Sequence, residues 1–190
     1  MTNKVQTAPA VLAAAPAWLR RTMAVLAGAG VVALGAQAAV WMPGTPVPMT
    51  LQVPAVLIVG GLLGPALGAA SLITYLAFGA VGMPVFAAGG IPGVARLLGP
   101  TGGYLLAYPL AAVVVGRLGG ASSTRLAIGL VAALAVIHAG GIAQLAVLTG
   151  DMDLAARLGS VPFLMGDGLK LVFAGLIVWR FRAPTTRALS

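Results

Sequence analysis

This 190-residue chain carries only three acidic residues, Asp151, Asp153 and Asp167, and no glutamate. Asp167 lies in "VPFLMGDGLKLVFAGLIVWRFR" (Val161 to Arg182), three residues before Lys170 in an otherwise apolar stretch. Residues at i and i+3 share one helical face, and Phe163, Gly166 and Ala174 fall on the same face. An Asp or Lys at mid-membrane costs about 2.5–3.5 kcal/mol each on the insertion scale. Such a pair therefore faces a bundle interior or a water-filled cavity. There the carboxylate accepts N–H bonds and the ammonium serves a carbonyl or carboxylate, which describes a polar ligand site. The competing account is a structural ion pair, or a lysine snorkelling outward.

Two further stretches carry groups of the same kind. In "LLGPTGGYLLAYP" (Leu97 to Pro109), Thr101 is placed to cap a helix, and Gly102 and Gly103 admit close approach of a backbone or ligand. Tyr104 adds an aromatic face with a polar tip, and Arg96 just upstream is either a carboxylate clamp or a solvated charge. In "PGTPVPMTLQ" (Pro43 to Gln52) the prolines stiffen a loop and Gln52 offers a bidentate amide. The lone histidine, His138, sits in an apolar run and reads as a packed, hydrogen-bonded side chain rather than a proton carrier. Asp151 and Asp153 read as the water-side end of a span. The sequence contains no P-loop, H-E-x-x-H or G-x-S-x-G pattern. With no cysteine, disulfides and thiolate metal sites are excluded.

Composition names the elements that must hold these groups. The chain is 60% hydrophobic and 7% charged, against about 25% charged in a soluble domain, so it is an integral membrane protein. Its basic residues sit at the ends of apolar runs, which is a topology signal and not a nucleic-acid surface. About 20 apolar residues cross a bilayer. The runs predict an all-α protein of six transmembrane helices in a single domain, residues 1–190. The spans are about Thr22–Val40, Thr50–Leu63, Pro65–Val81, Gly102–Val115, Leu126–Thr149 and Val161 onward. The second and third are divided at "GGLLGP", because Gly-Pro ends one helix and Pro can begin the next. The second, at 1.5 Å per residue, covers only about 21 Å, and tilt, bilayer thinning or shielding by neighbours must accommodate it. An even number of spans puts Lys4, Arg20, Arg21, Arg117, Arg125, Arg180, Arg182 and Arg187 on one side, and all three acids with Arg96, Arg157 and Lys170 on the other. The positive-inside rule then makes both termini cytoplasmic, as a segment 1–21 and a tail 183–190. Ala24, Gly28, Ala29 and Ala33 give the first span a small-residue face suited to close helix packing.

Taken together, "PVPMTLQ", "GLLGPALGAASLITYLAFGAVGMPVFA", "LLGPTGGYLLAYPLAA" and "PFLMGDGLKL" resemble the BioY family from about Ala33 to Lys170, in matching order. These are the biotin-binding S components of energy-coupling-factor transporters. The resemblance implies a six-helix capture subunit in a prokaryotic cell membrane, loaded with biotin from outside. It implies no enzymatic activity and no cofactor. In many members a transmembrane coupling protein and cytosolic ATP-binding subunits power uptake, and Ala29 and Ala33 would then dock the coupling protein. By position it implies Gln52, Thr101, Gly102, Tyr104, Asp167 and Lys170 as ligand contacts, with Phe86 and Arg96 added from the loop between the third and fourth spans. The alternatives are another vitamin in the same fold, or a small exporter or intramembrane enzyme. Sequence leaves the oligomeric state open.

The topology is directly checkable. A cysteine at Asp151 should react with an impermeant thiol reagent in intact cells, whereas one at Ser190 should stay protected. Labelling of the Ser190→Cys protein would overturn the six-span arrangement.

Overall fold

The computed structural model describes residues 15–120 and 122–189, so Lys4, most of the 1–21 segment and Ser190 lie outside the described residues. The first helix, α1 (Ala17–Gln37), begins five residues before Thr22 and takes in Arg20 and Arg21. The chain then forms a small antiparallel ladder, β1 (Ala39–Val40) and β2 (Met49–Thr50), with Ala39 opposite Thr50. Next comes α2 (Gln52–Ala80), broken at Gly64 with φ 79° and ψ −179° and followed by Pro65. The two limbs of α2 lie side by side. A side chain on Gly68 would come within 2.9 Å of the Gly60 backbone, and Gln52 at the start of α2 bonds Tyr75 near its end at 2.6 Å. Residues eight apart in a continuous helix would stand about 12 Å apart. The "GLLGP" sequence therefore makes a helical hairpin.

A five-residue turn of helix, α3 (Val94–Leu98), leads into α4 (Gly102–Leu118). Thr101 takes the N-cap position of α4, but its side chain makes no capping bond; Gln144 reaches over instead to the carbonyls of Leu97 and Gly99, at 2.9 and 2.7 Å. Helix α5 (Ser123–Thr149) opens on the Ser122 hydroxyl, which accepts from the Arg125 amide, and closes on left-handed Gly150. Asp151 then does more than end a span in water. Its carboxylate accepts the amides of Asp153 and Leu154 at 2.8 and 3.1 Å and so starts α6 (Met152–Gly159), in the usual manner of an Asp N-cap. The last helix, α7 (Leu164–Leu189), lies at 53° to α6 and runs on through most of the 183–190 tail.

By length and apolarity α1, α2 and α5 can each cross a membrane. The bent α6–α7 pair makes a fourth candidate, and α4 is a shorter apolar helix. Large apolar side chains such as Leu34, Leu169, Phe173 and Trp179 point outward, as they do where lipid is the solvent. The hairpin α2 is the centre, packed by α1, α4 and α7, while α5 packs on α4. Small residues let these helices meet. Gly60 lies against Ala112, and Gly103 against Gly140, with no room for a Cβ at either glycine. The small face of α1 is spent the same way. Gly28 packs on Ser71 and Val59, Ala29 is only 2% exposed and Ala33 packs against the core. Ala29 therefore belongs to the interior, and the expectation that it offers a free docking face is corrected, while Ala33 is only partly covered by the core.

Gly64 holds a backbone conformation essentially reserved for glycine, costing other residues about 1–3 kcal/mol, and open space surrounds it. Gly64→Ala should therefore lower stability by roughly that amount through the backbone alone. Gly30→Ala, on a helix and equally unhindered, should be neutral or stabilising. Thermal melts of both variants in detergent check this.

Candidate functional site

At the end of the bundle opposite the Gly64 turn, one cavity is lined by the β1–β2 loop and β2 (Val47–Thr50), Gln52, Phe86, Arg96 of α3, Thr101 and Tyr104 at the head of α4, His138 of α5, and Asp167 and Lys170 of α7. Its interior gives a water-sized sphere about 50 Å³ in which to centre itself. One water requires about 10–15 Å³ in that measure, so the cavity is not packed shut.

The charges are concentrated on one wall. Asp167, buried with 2% exposure, accepts from Lys170 Nζ through Oδ1 at 2.9 Å and meets His138 Nε2 through Oδ2 at 2.7 Å. A carboxylate only accepts, so Nε2 carries the proton toward Asp167 and Nδ1 is left open; Nδ1 is buried without a hydrogen-bond partner. Each carboxylate oxygen has two acceptor positions, so Asp167 keeps capacity for donors arriving from the cavity. The His138 ring stands edge-on to Tyr104, centroids 6.4 Å apart. Tyr104 in turn donates its hydroxyl to the Gly159 carbonyl, tying α4 to the end of α6. The Thr45 hydroxyl bonds the Leu158 carbonyl at 2.7 Å, so the β1–β2 loop is pinned to the same short helix.

The other walls are built with equal economy of freedom. Gln52 donates to the Tyr75 hydroxyl and accepts from Thr50 at 3.1 Å, which fixes its amide. Phe86 lies flat on Gly79, where no side chain could stand, with its ring edge-on to Tyr75 at 5.5 Å. Gln37 holds this loop by donating to the Phe86 carbonyl at 3.3 Å. Arg96 is 7% exposed; its Nη2 donates to the Ala87 carbonyl at 3.1 Å, while Nε has no partner. Its guanidinium occupies the place a side chain at Gly90 would fill. Burial lowers its proton affinity, but from so high a value that the guanidinium stays charged. The site is therefore able to hold a small molecule with N–H donors at one place and a negative charge at another.

Gln52, Phe86, Arg96, Thr101, Tyr104, Asp167 and Lys170 all line this one cavity. Gly102 does not. It lies against the Leu97 carbonyl and the Gln144 amide, where a Cβ would collide, so it shapes the entry to α4. Sequence reasoning missed the partnership of His138 with Asp167, although it read the ring as hydrogen-bonded. Two facts pointed that way: it is the chain's one histidine, and it lies in an apolar run. Among the described residues no cluster of His, Cys, Asp and Glu could hold a metal ion.

Fold and site together define a helical membrane protein with charged side chains on the walls of one small, otherwise largely apolar chamber. The chain belongs to the BioY family, whose model matches residues 1–187. It is similar to the probable biotin transporter BioY of Pyrococcus horikoshii, 41% identical over 140 residues, covering 74% of this chain and 83% of that one. It is equally similar to the biotin transporter BioY of Thermotoga maritima, 41% identical over 145 residues and covering 74% and 84%. The fold is that of the crystal structure of the S-component for biotin from an ECF-type ABC transporter, with a TM-score of 0.78. That match has 24% identity and covers 87% of this chain and 92% of that chain.

Tyr104→Phe removes the donor to a buried carbonyl, and an unsatisfied buried polar group costs about 1–3 kcal/mol. The variant should melt lower, and amide exchange should accelerate first in α6. Exchange unchanged in Met152–Gly159 would show that the bond does not anchor that helix.

Proposed function

We propose that this chain captures biotin from the outer side of a prokaryotic cell membrane, as the substrate-binding component of an energy-coupling-factor transporter. The observation that carries this is Asp167, buried and shared by Lys170 and His138, on the wall of a cavity that Gln52 and Arg96 also line. Biotin's ureido ring has two N–H donors and one strong acceptor, suited to a carboxylate beside an ammonium. Its valerate is an anion that asks for Arg or Lys. Phe86 and Tyr104 offer ring faces and edges to its apolar body. The names of relatives 41% identical point to the same vitamin.

The chain crosses the membrane six times with both termini in the cytoplasm. The two limbs of α2 count as two crossings, joined by α1, α4, α5 and α7, and the cavity then opens outward, as capture requires. No P-loop is present to hydrolyse ATP, so a transmembrane coupling protein and cytosolic ATP-binding subunits supply the energy. The work of this chain is binding and release, without bond chemistry.

Breaking a hydrogen bond to a charged group costs about 1.5–3 kcal/mol, roughly a ten- to hundredfold loss of affinity. Asp167→Ala and Lys170→Ala should each lose biotin affinity by that factor, and Asp167→Asn less, because its amide oxygen still accepts. The double variant Asp167→Ala/Lys170→Ala, which leaves His138 without an acid, should also bind poorly. The measurement is a biotin titration of the purified variants, with thermal melts as the folding control. Wild-type affinity in a folded double variant would reduce the pair to architecture.

A further inference from the structure

We propose a second binding site, for the phosphate of an anionic phospholipid headgroup, at the end of the bundle remote from the biotin cavity and centred on Arg21 and Arg182. The proposed orientation places this end at the inner leaflet. A cleft there is lined by both arginines, by the Gly64–Pro65 turn and by Gly116, and it leaves about 480 Å³ for the centre of a water-sized sphere. Arg182 Nη2 donates to the Gly116 carbonyl at 3.2 Å, while its Nη1 is buried and has no hydrogen-bond partner. The bond to Gly116 thus orients the guanidinium on the wall of the cleft, with Nη1 turned toward Gly119.

No acidic side chain of the chain can meet these cations. Asp167 is held by Lys170 and His138, Asp153 pairs with Arg157 at 2.9 Å, and Asp151 caps α6. There is no fourth acid. With all three acidic side chains engaged elsewhere, an anion from outside the chain can complete the cleft. Phosphate matches it, because two guanidinium groups can each present paired N–H donors to phosphate oxygens. The second limb of α2 also starts at this turn, and the positive end of a helix dipole favours an anion. Apart from Thr186 the remaining walls, Leu62, Leu63 and Leu67 among them, are apolar, which suits a headgroup attached to acyl chains better than a free ion. Basic pockets between helices on the cytoplasmic side are suited to such lipids. A headgroup that keeps its full negative charge, such as phosphatidylglycerol, fits two cations better than one neutralised by choline.

Native mass spectrometry of the purified protein, titrated with phosphatidylglycerol or phosphatidylcholine, tests this. Wild type should retain phosphatidylglycerol at least tenfold better, and Arg21→Gln/Arg182→Gln should lose about tenfold of that retention. Arg125→Gln, a basic residue at the same end but outside the cleft, should behave as wild type. If Arg182→Gln does not fold, Arg21→Gln alone, at an exposed position, must still weaken retention. Equal retention of the two lipids, or retention unaffected by Arg21→Gln, would overturn the site. Inorganic phosphate raising the melting temperature as much as phosphatidylglycerol does would assign the cleft to a free anion and overturn the lipid. Biotin titration of the same variants should be unchanged, which keeps this result independent of the biotin site.

Discussion

A carboxylate buried inside a membrane protein has to be answered by donors, and the cavity end of this bundle is arranged around that requirement at Asp167. An isolated buried charge costs several kcal/mol. Lys170, one turn away on the same helix, and His138, on a different helix, each satisfy one oxygen. The rotation of α7 is thereby fixed, since Asp167 must point inward while Leu169, Val172 and Phe173 face out. The height of α5 against α7 is fixed too, because a slip of one residue would carry His138 out of reach. The 53° bend before α7 lets the chain leave α6 at the rim and turn its acid into the cavity.

Precision at the site depends on closeness elsewhere. Water cannot drive helices together within lipid, so packing of small residues takes over. Gly103 against Gly140 brings α4 to α5, and Gly60 against Ala112 brings α4 to the α2 hairpin. Tyr104 hence stands beside His138, and its hydroxyl still reaches the Gly159 carbonyl. The polar side chains of the cavity are mostly held by backbone carbonyls or by one another, so the chamber is preformed. Such preorganisation lowers the ordering cost that a ligand would otherwise meet.

What the sequence makes legible follows from how local each signal is. The Asp167–Lys170 pair needs only helical periodicity, and the hairpin needs only the incompatibility of Gly-Pro with a continuing helix. Both are found where expected. The inward direction of Ala29 was not legible, because a small-residue stripe looks the same whether it meets its own chain or another. The bond between His138 and Asp167 joins residues 29 apart, and no local pattern encodes that. Helix α6 is eight residues long and β1–β2 only two pairs, too short for periodicity to register. The Asp151 carboxylate that starts α6 resembles any solvated acid until its amide partners are placed. Thr101 shows the reverse failure, a correct N-cap position whose hydroxyl does not cap, while Gln144 from α5 separately holds the Leu97 and Gly99 carbonyls beside it.

The charges lining the cavity also bear on what it accepts. On the cavity walls, Arg96 and Lys170 against Asp167 leave a positive balance among the fixed charges. A single monoanion such as a valerate closes that imbalance, and a neutral analogue would leave it standing at low dielectric, where it is costly. A cation would meet two like charges for each opposite one, which weighs against an exporter of cations. The acid is needed as well, since Lys170 and Arg96 without Asp167 would leave two uncompensated cations in the empty site. Asp167 thus does two things at once. It keeps the empty chamber tolerable to the membrane, and it leaves acceptor positions for the donors of an entering ligand.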